Sequence, residues 1–200
     1  MSEAGDELLE QARALCLVEP PDYDAALTLL RRAAEPGCAE AIYALGDWHH
    51  RGRAVEQDDE QAFAYTLRAA ELGYGPAMEN LAISLETGCG CAADLDEALH
   101  WYEKAADCGQ HEAAYDVGRV LEQQRQCYDE TVVAWYRRSA DAGYDEAQYA
   151  MGYLYEFGYA VELNTETAAR WYRIAAAQGH EGAIDALVDM PDDEASSVAP

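Results

Sequence analysis

Lysine is almost missing from this chain: of its 13 basic residues only Lys104 is not arginine, against 39 acidic residues and a net charge of −26. A surface so short of positive charge is a poor match for nucleic acid or an anionic membrane, and it leaves a basic partner or plain solubility as readings of the acidity. Long apolar runs are missing too. No stretch approaches the ~18 residues that a membrane-spanning helix requires. The opening MSEAGDELLEQ has neither the basic start nor the apolar run of a secretory leader, so the expected address is the cytoplasm. Cysteine is present six times, at 16, 38, 89, 91, 108 and 127, without the paired pattern of a disulfide framework. Reduced thiols are expected. The sequence contains no G-x-S-x-G, no H-E-x-x-H and no phosphate-binding loop. No catalysis and no cofactor are expected.

The chain does contain a repeat. The segments RRAAEPG, LRAAELG, EKAADCG, RRSADAG and RIAAAQG end at Gly37, Gly73, Gly109, Gly143 and Gly179, at spacings of 36, 36, 34 and 36 residues. Inside each period, AIYALGDWHHRG, AMENLAISLETG, AAYDVGRVLEQQ and AQYAMGYLYEFG align without gaps. Alanine followed four positions later by Leu, Val or Met places both on one helical face. A small residue follows in each: Gly46, Ala82, Gly118 and Gly152. Glycine in mid-helix costs about 1 kcal/mol against alanine, a cost tolerated where another helix must come close. The second half of each period, such as EALHWYEKAA and TAARWYRIAA, reads as an alanine-rich helix closed by the glycine turn. Acidic residues crowd the start of this second helix, where the helix dipole favours them.

Each period is therefore a helix pair, A then B. Pairs of this length stack, because one alone cannot bury its apolar face. The expected fold is all-α: a right-handed α/α solenoid of stacked helix-turn-helix repeats with about eleven helices. We read a partial first unit over 6–37, full units over 38–73, 74–109, 110–143 and 144–179, and a capping half-unit over 180–190. The polar, acidic 191–200 reads as a disordered tail. The third full unit has Gln124 at the turn-glycine position and is two residues short around Arg125–Tyr128, which predicts a tighter or locally irregular loop.

These residues resemble the Sel-1-like repeat, a relative of the tetratricopeptide repeat. The fourth full unit carries the pattern most fully, in Ala147, Met151, Gly152, Tyr155, Gly158, Val161, Ala168, Trp171, Tyr172, Ala175, Ala176 and Gly179. The first full unit departs from it, with His49 in place of Tyr and Tyr65-Thr66 in place of Trp-Tyr. The resemblance implies an adaptor that brings other proteins together, without a general active site. Secreted bacterial relatives carry a disulfide across each helix pair, but the cysteines here do not recur once per unit.

The resemblance also implies that the A helices line a concave face. On it the columns would be Glu40, Pro76, Glu112 and Glu146; Tyr43, Glu79, Tyr115 and Tyr149; Asp47, Ile83, Arg119 and Tyr153; and His50, Glu86, Glu122 and Glu156. Carboxylates and tyrosines dominate. Such a face suits a protein or peptide rich in Arg or Lys, held through ion pairs and cation–π contacts, and the alternative to that adaptor is an immunity or inhibitor protein that neutralises a basic toxin. A monomer is expected. No metal site is expected either. Cys91 and Cys108 flank a helix of about 14 residues, roughly 21 Å long. His49 and His50 point about 100° apart, and His49 is read as a packing residue.

Overall fold

The structure, a computed structural model, describes residues 3–190, and the expected tail over 191–200 lies outside the described residues. Among the described residues there are eleven helices and no strand. They fall into two compact units, one ending at Gln110 and the other beginning at His111.

The first unit holds α1 (Glu3–Leu17), α2 (Tyr23–Ala34), α3 (Ala39–Arg51), α4 (Asp59–Glu71), α5 (Gly75–Thr87) and α6 (Leu95–Asp107). Each helix packs on the next in sequence. The buried positions recur at helical spacing: Ala41, Ile42, Leu45 and Trp48 on α3, and Ala77, Met78, Leu81 and Leu85 on α5. The second unit holds α7 (His111–Arg125), α8 (Glu130–Asp141), α9 (Asp145–Phe157), α10 (Thr165–Ala177) and α11 (Glu181–Asp189), again packed in series. Val117, Val120, Val132, Met151, Leu154 and Tyr172 are among its fully enclosed side chains.

The acidic starts of the B helices have a more specific role than the dipole alone. Asp58, Asp94 and Asp129 are N-caps whose carboxylates accept from the backbone N–H groups of Gln61, Glu97 and Val132, at 2.9, 3.0 and 3.0 Å. Asn164 does the same for Thr167 at 2.8 Å. These bonds satisfy N–H groups that a helix start leaves without an internal partner. The turns after the B helices hold Gly37, Gly73, Gly109, Gly143 and Gly179 at φ between 89° and 105°, the left-handed region that favours glycine.

The mid-helix glycines mark close approach inside each hairpin. A Cβ on Gly152 would lie 2.5 Å from the ring of Tyr172, and one on Gly118 would lie 2.7 Å from the ring of Tyr136. The glycine of the A helix thus seats the buried tyrosine of its own B helix. The short loop of the third full unit is tight as expected: α7 runs on to Arg125, and Gln126 turns the chain at φ 56°. His49 stacks on Tyr65 with ring centres 5.4 Å apart, as a packing residue should, but its buried Nδ1 has no hydrogen-bond partner.

Candidate functional site

In the second unit the structure brings the expected A-helix residues around one hollow. Tyr115 and Glu122 from α7 and Glu146, Tyr149 and Tyr153 from α9 line a cavity of about 250 Å³, together with Tyr128 and Tyr136. The tyrosine rings touch in series. Tyr115 lies 5.4 Å from Tyr136 and 5.5 Å from Tyr144, and Tyr149 lies 5.5 Å from Tyr172. Tyr153 meets Phe157 at 4.7 Å and Tyr159 at 5.7 Å. Phe157 and Tyr159 are 50% and 41% exposed, so this aromatic group opens to solvent. A second hollow of about 760 Å³ adjoins it, sharing Glu122 and Tyr128 and adding Arg119 and Tyr159.

Several carboxylates on this face already hold the hairpins together. Glu122 accepts from the Tyr136 hydroxyl at 2.6 Å, and Glu156 accepts from Tyr172 at 2.7 Å. Glu86 in the first unit accepts from Tyr102 at 2.8 Å. Three members of one expected column thus each bind the tyrosine of the following B helix. Burial, followed by the bond to Glu122, pushes the Tyr136 hydroxyl far above its ordinary pKa. Burial and Glu156 do the same to Tyr172. These hydroxyls stay protonated and donate.

Other expected residues are similarly partnered. Glu146 faces the His180 Nε2 at 3.1 Å, and Tyr149 stacks on that imidazole at 4.5 Å. Arg119 pairs with Asp116 at 3.0 Å. In the first unit, Glu40 binds Arg13 and accepts from Tyr74 at 3.2 Å. Tyr43 accepts from the Asn80 amide, and its ring lies 5.4 Å from Tyr74. Asp47 is held by Arg51 at 2.6 Å. Tyr43, Asp47, His50 and Ile83 line a cavity of about 450 Å³. Glu79 is half-buried on α5. Glu112 is exposed at the start of α7.

Sequence reasoning missed two features. The aromatic group formed with Tyr128, Phe157 and Tyr159 lies partly in loops, outside the A-helix columns, although the run Tyr153–Tyr159 is itself visibly aromatic. The other is a grouping of His50, Asp59 and Cys89, whose ligand atoms lie within 4.8 Å of one another. No helix among the described residues is long and apolar enough to cross a membrane.

The architecture is that of a helical-repeat protein. The Sel1 repeat family matches residues 17–37, 39–74, 75–110, 133–144 and 145–180, and the chain belongs to that family. A Sel1 repeat protein from Oxalobacter formigenes superposes with a TM-score of 0.81 at 29% identity, over 92% of this chain and 54% of that one. An uncharacterized protein of Neisseria meningitidis serogroup B is 32% identical over 176 residues, 84% of this chain and 36% of its own length. The chitin synthase regulator SKT5 of Saccharomyces cerevisiae is 39% identical over 77 residues, 38% of this chain and 11% of the regulator. The chain therefore spans about a third of the Neisseria protein and about half of the Oxalobacter protein. These likenesses give an α/α-solenoid fold. Sel1 repeat proteins generally mediate protein–protein interactions, and their fold is typically a non-catalytic scaffold.

Proposed function

We propose that this chain is a non-enzymatic scaffold that holds a protein segment bearing arginine or lysine. The observation that carries this reading is the hollow of about 250 Å³ walled by Tyr115, Tyr149 and Tyr153 beside Glu122 and Glu146. Tyrosine faces attract a cation, and the nearby carboxylates add charge. Tyrosine is also a frequent anchor at protein interfaces, because it contributes a large contact area with little conformational freedom to lose. Net charge of −26 draws basic partners in and keeps nucleic acid away. The yeast relative is named a regulator of chitin synthase, and a scaffold that holds another protein would suit such a role.

The test is a binding assay with paired peptides, identical except that Arg or Lys in one is Gln in the other. The basic peptides should bind the wild type at least tenfold more tightly, a difference of about 1.4 kcal/mol. Tyr153→Ala combined with Tyr159→Ala should remove most of that difference while helicity is kept. Equal affinity for both peptide sets would overturn the cationic reading. Unchanged binding by the double variant would move the site off this face.

A further inference from the structure

Two of the departures of the first full repeat from the others, at His50 and Thr66, meet in one place. Where α6, α8 and α10 carry a tyrosine that donates to a glutamate of the A helix, α4 carries Thr66 and α3 carries His50. The Thr66 hydroxyl turns back onto its own helix, to the Ala62 carbonyl at 2.9 Å. The smaller side chain leaves the cavity of about 450 Å³ noted above, and His50, Asp59 and Cys89 stand together on its wall.

These three side chains come from three separate segments: the last turn of α3, the first residue of α4, and the loop between α5 and α6. His50 Nδ1 lies 2.8 Å from an Asp59 carboxylate oxygen, and one ligand atom from each of the three lies within 4.8 Å of the others. The loop reaches this position through Gly90. A Cβ there would fall 2.0 Å from the carbonyl oxygen of Asp59, so any other residue would push the loop off the start of α4. The neighbouring Cys91 is directed elsewhere, its thiol donating to the Ser84 carbonyl at 3.4 Å.

We propose that His50, Asp59 and Cys89 form a binding site for a divalent transition-metal ion, Zn2+ in particular, with a fourth position open to solvent. An imidazole, a carboxylate and a thiolate make a donor set suited to zinc, whereas magnesium and calcium take oxygen. Tetrahedral zinc with bonds of about 2.0–2.3 Å holds its ligand atoms about 3.3–3.8 Å apart. The 2.8 Å between His50 Nδ1 and the Asp59 oxygen is shorter than that, so these two side chains must part slightly to admit an ion. An exposed His–Asp pair alone contributes little and gives no reason for a thiol beside it. All three groups are exposed or half-buried, so an ion can enter without unfolding. Bound there, it would tie the end of α3 to the start of α4 and to the α5–α6 loop. This site does not depend on the proposed peptide-binding role.

The experiment is titration of the reduced, chelator-treated full chain with Co2+ as a spectroscopic probe, followed by displacement with Zn2+. One equivalent of Co2+ should produce a thiolate-to-metal charge-transfer band and the visible bands of a tetrahedral centre, and Zn2+ should bleach both. Cys89→Ser should abolish the charge-transfer band. His50→Ala should weaken Zn2+ binding by more than about tenfold, since even residues behind the ligands change affinity by that much. Cys108→Ser and Cys127→Ser should leave the spectrum as it is. Absence of a thiolate band in the wild type overturns the site. So does a band that survives in Cys89→Ser, which would put the ion on another cysteine.

Discussion

The tyrosine–glutamate bond is the smallest recurring unit of this molecule. It joins the A helix to the B helix in three hairpins, at Glu86–Tyr102, Glu122–Tyr136 and Glu156–Tyr172. Tyr172→Phe should lower stability by about 1.5–3 kcal/mol, the net value of a hydrogen bond to a charged group, read as a shift in denaturation midpoint. The glycine beneath Tyr136 and Tyr172 is more demanding. Gly152→Leu must displace Tyr172, because the first added carbon already falls 2.5 Å from its ring. The expected loss is roughly 1–3 kcal/mol or more, and an unchanged midpoint would contradict the packing described. Titration offers a third test. Burial, with help from Glu40, pushes the Tyr74 hydroxyl from 10.0 up to about 12, and burial beside Glu112 does the same for Tyr144. Because the folded state favours the protonated phenols, their stabilisation is complete below pH 10. It fades as the pH climbs from 10 to about 12. Denaturation midpoints measured across that window should fall as phenolate absorbance rises. A flat profile would mean that these hydroxyls gain nothing from folding.

At the scale of the element, the repeat makes the helices legible in the sequence. A period near 35 residues, glycine turns and alanine at the contact positions leave little freedom in where the helices begin and end. The caps were half legible. Asp58, Asp94 and Asp129 stood out as charges at helix starts, but their bonds to Gln61, Glu97 and Val132 need backbone geometry to be seen. Asp58→Ala should cost about 1 kcal/mol, and Glu60→Ala, in the first turn of the same helix but away from the capping position, should cost less. Comparison of the two midpoints separates capping from a general dipole effect. The face of a helix was legible from its period, but the occupation of that face was not. Their spacing puts Glu86, Glu122 and Glu156 in one column, and only the structure shows that each also accepts a bond from a tyrosine about 14 to 16 residues further on. The grouping of His50, Asp59 and Cys89 was illegible for a similar reason. Its members lie 9 and 30 residues apart, and no local spacing rule joins them.

For the whole molecule, charge is the dominant property. A net −26 repels itself within the fold and attracts basic partners, and salt screens both effects over about 8 Å at 0.15 M. Raising the ionic strength should therefore raise the thermal midpoint while weakening the binding of a basic peptide. Movement of both in the same direction would contradict an electrostatic origin for one of them. Membership of the Sel1 repeat family could be read from the sequence because glycine, alanine and aromatic positions recur in every unit. The partner could not be read, because a scaffold's specificity lies in side chains that vary from unit to unit.

The measurement that tests the central claim most directly is cross-linking capture from native lysate, wild type beside the Tyr153→Ala, Tyr159→Ala double variant, with mass spectrometry of the linked peptides. A scaffold that works through the tyrosine hollow predicts a basic protein segment linked to α7 and α9 in the wild type and lost in the variant. A partner captured equally by both, linked to the outer faces of the B helices, would contradict it.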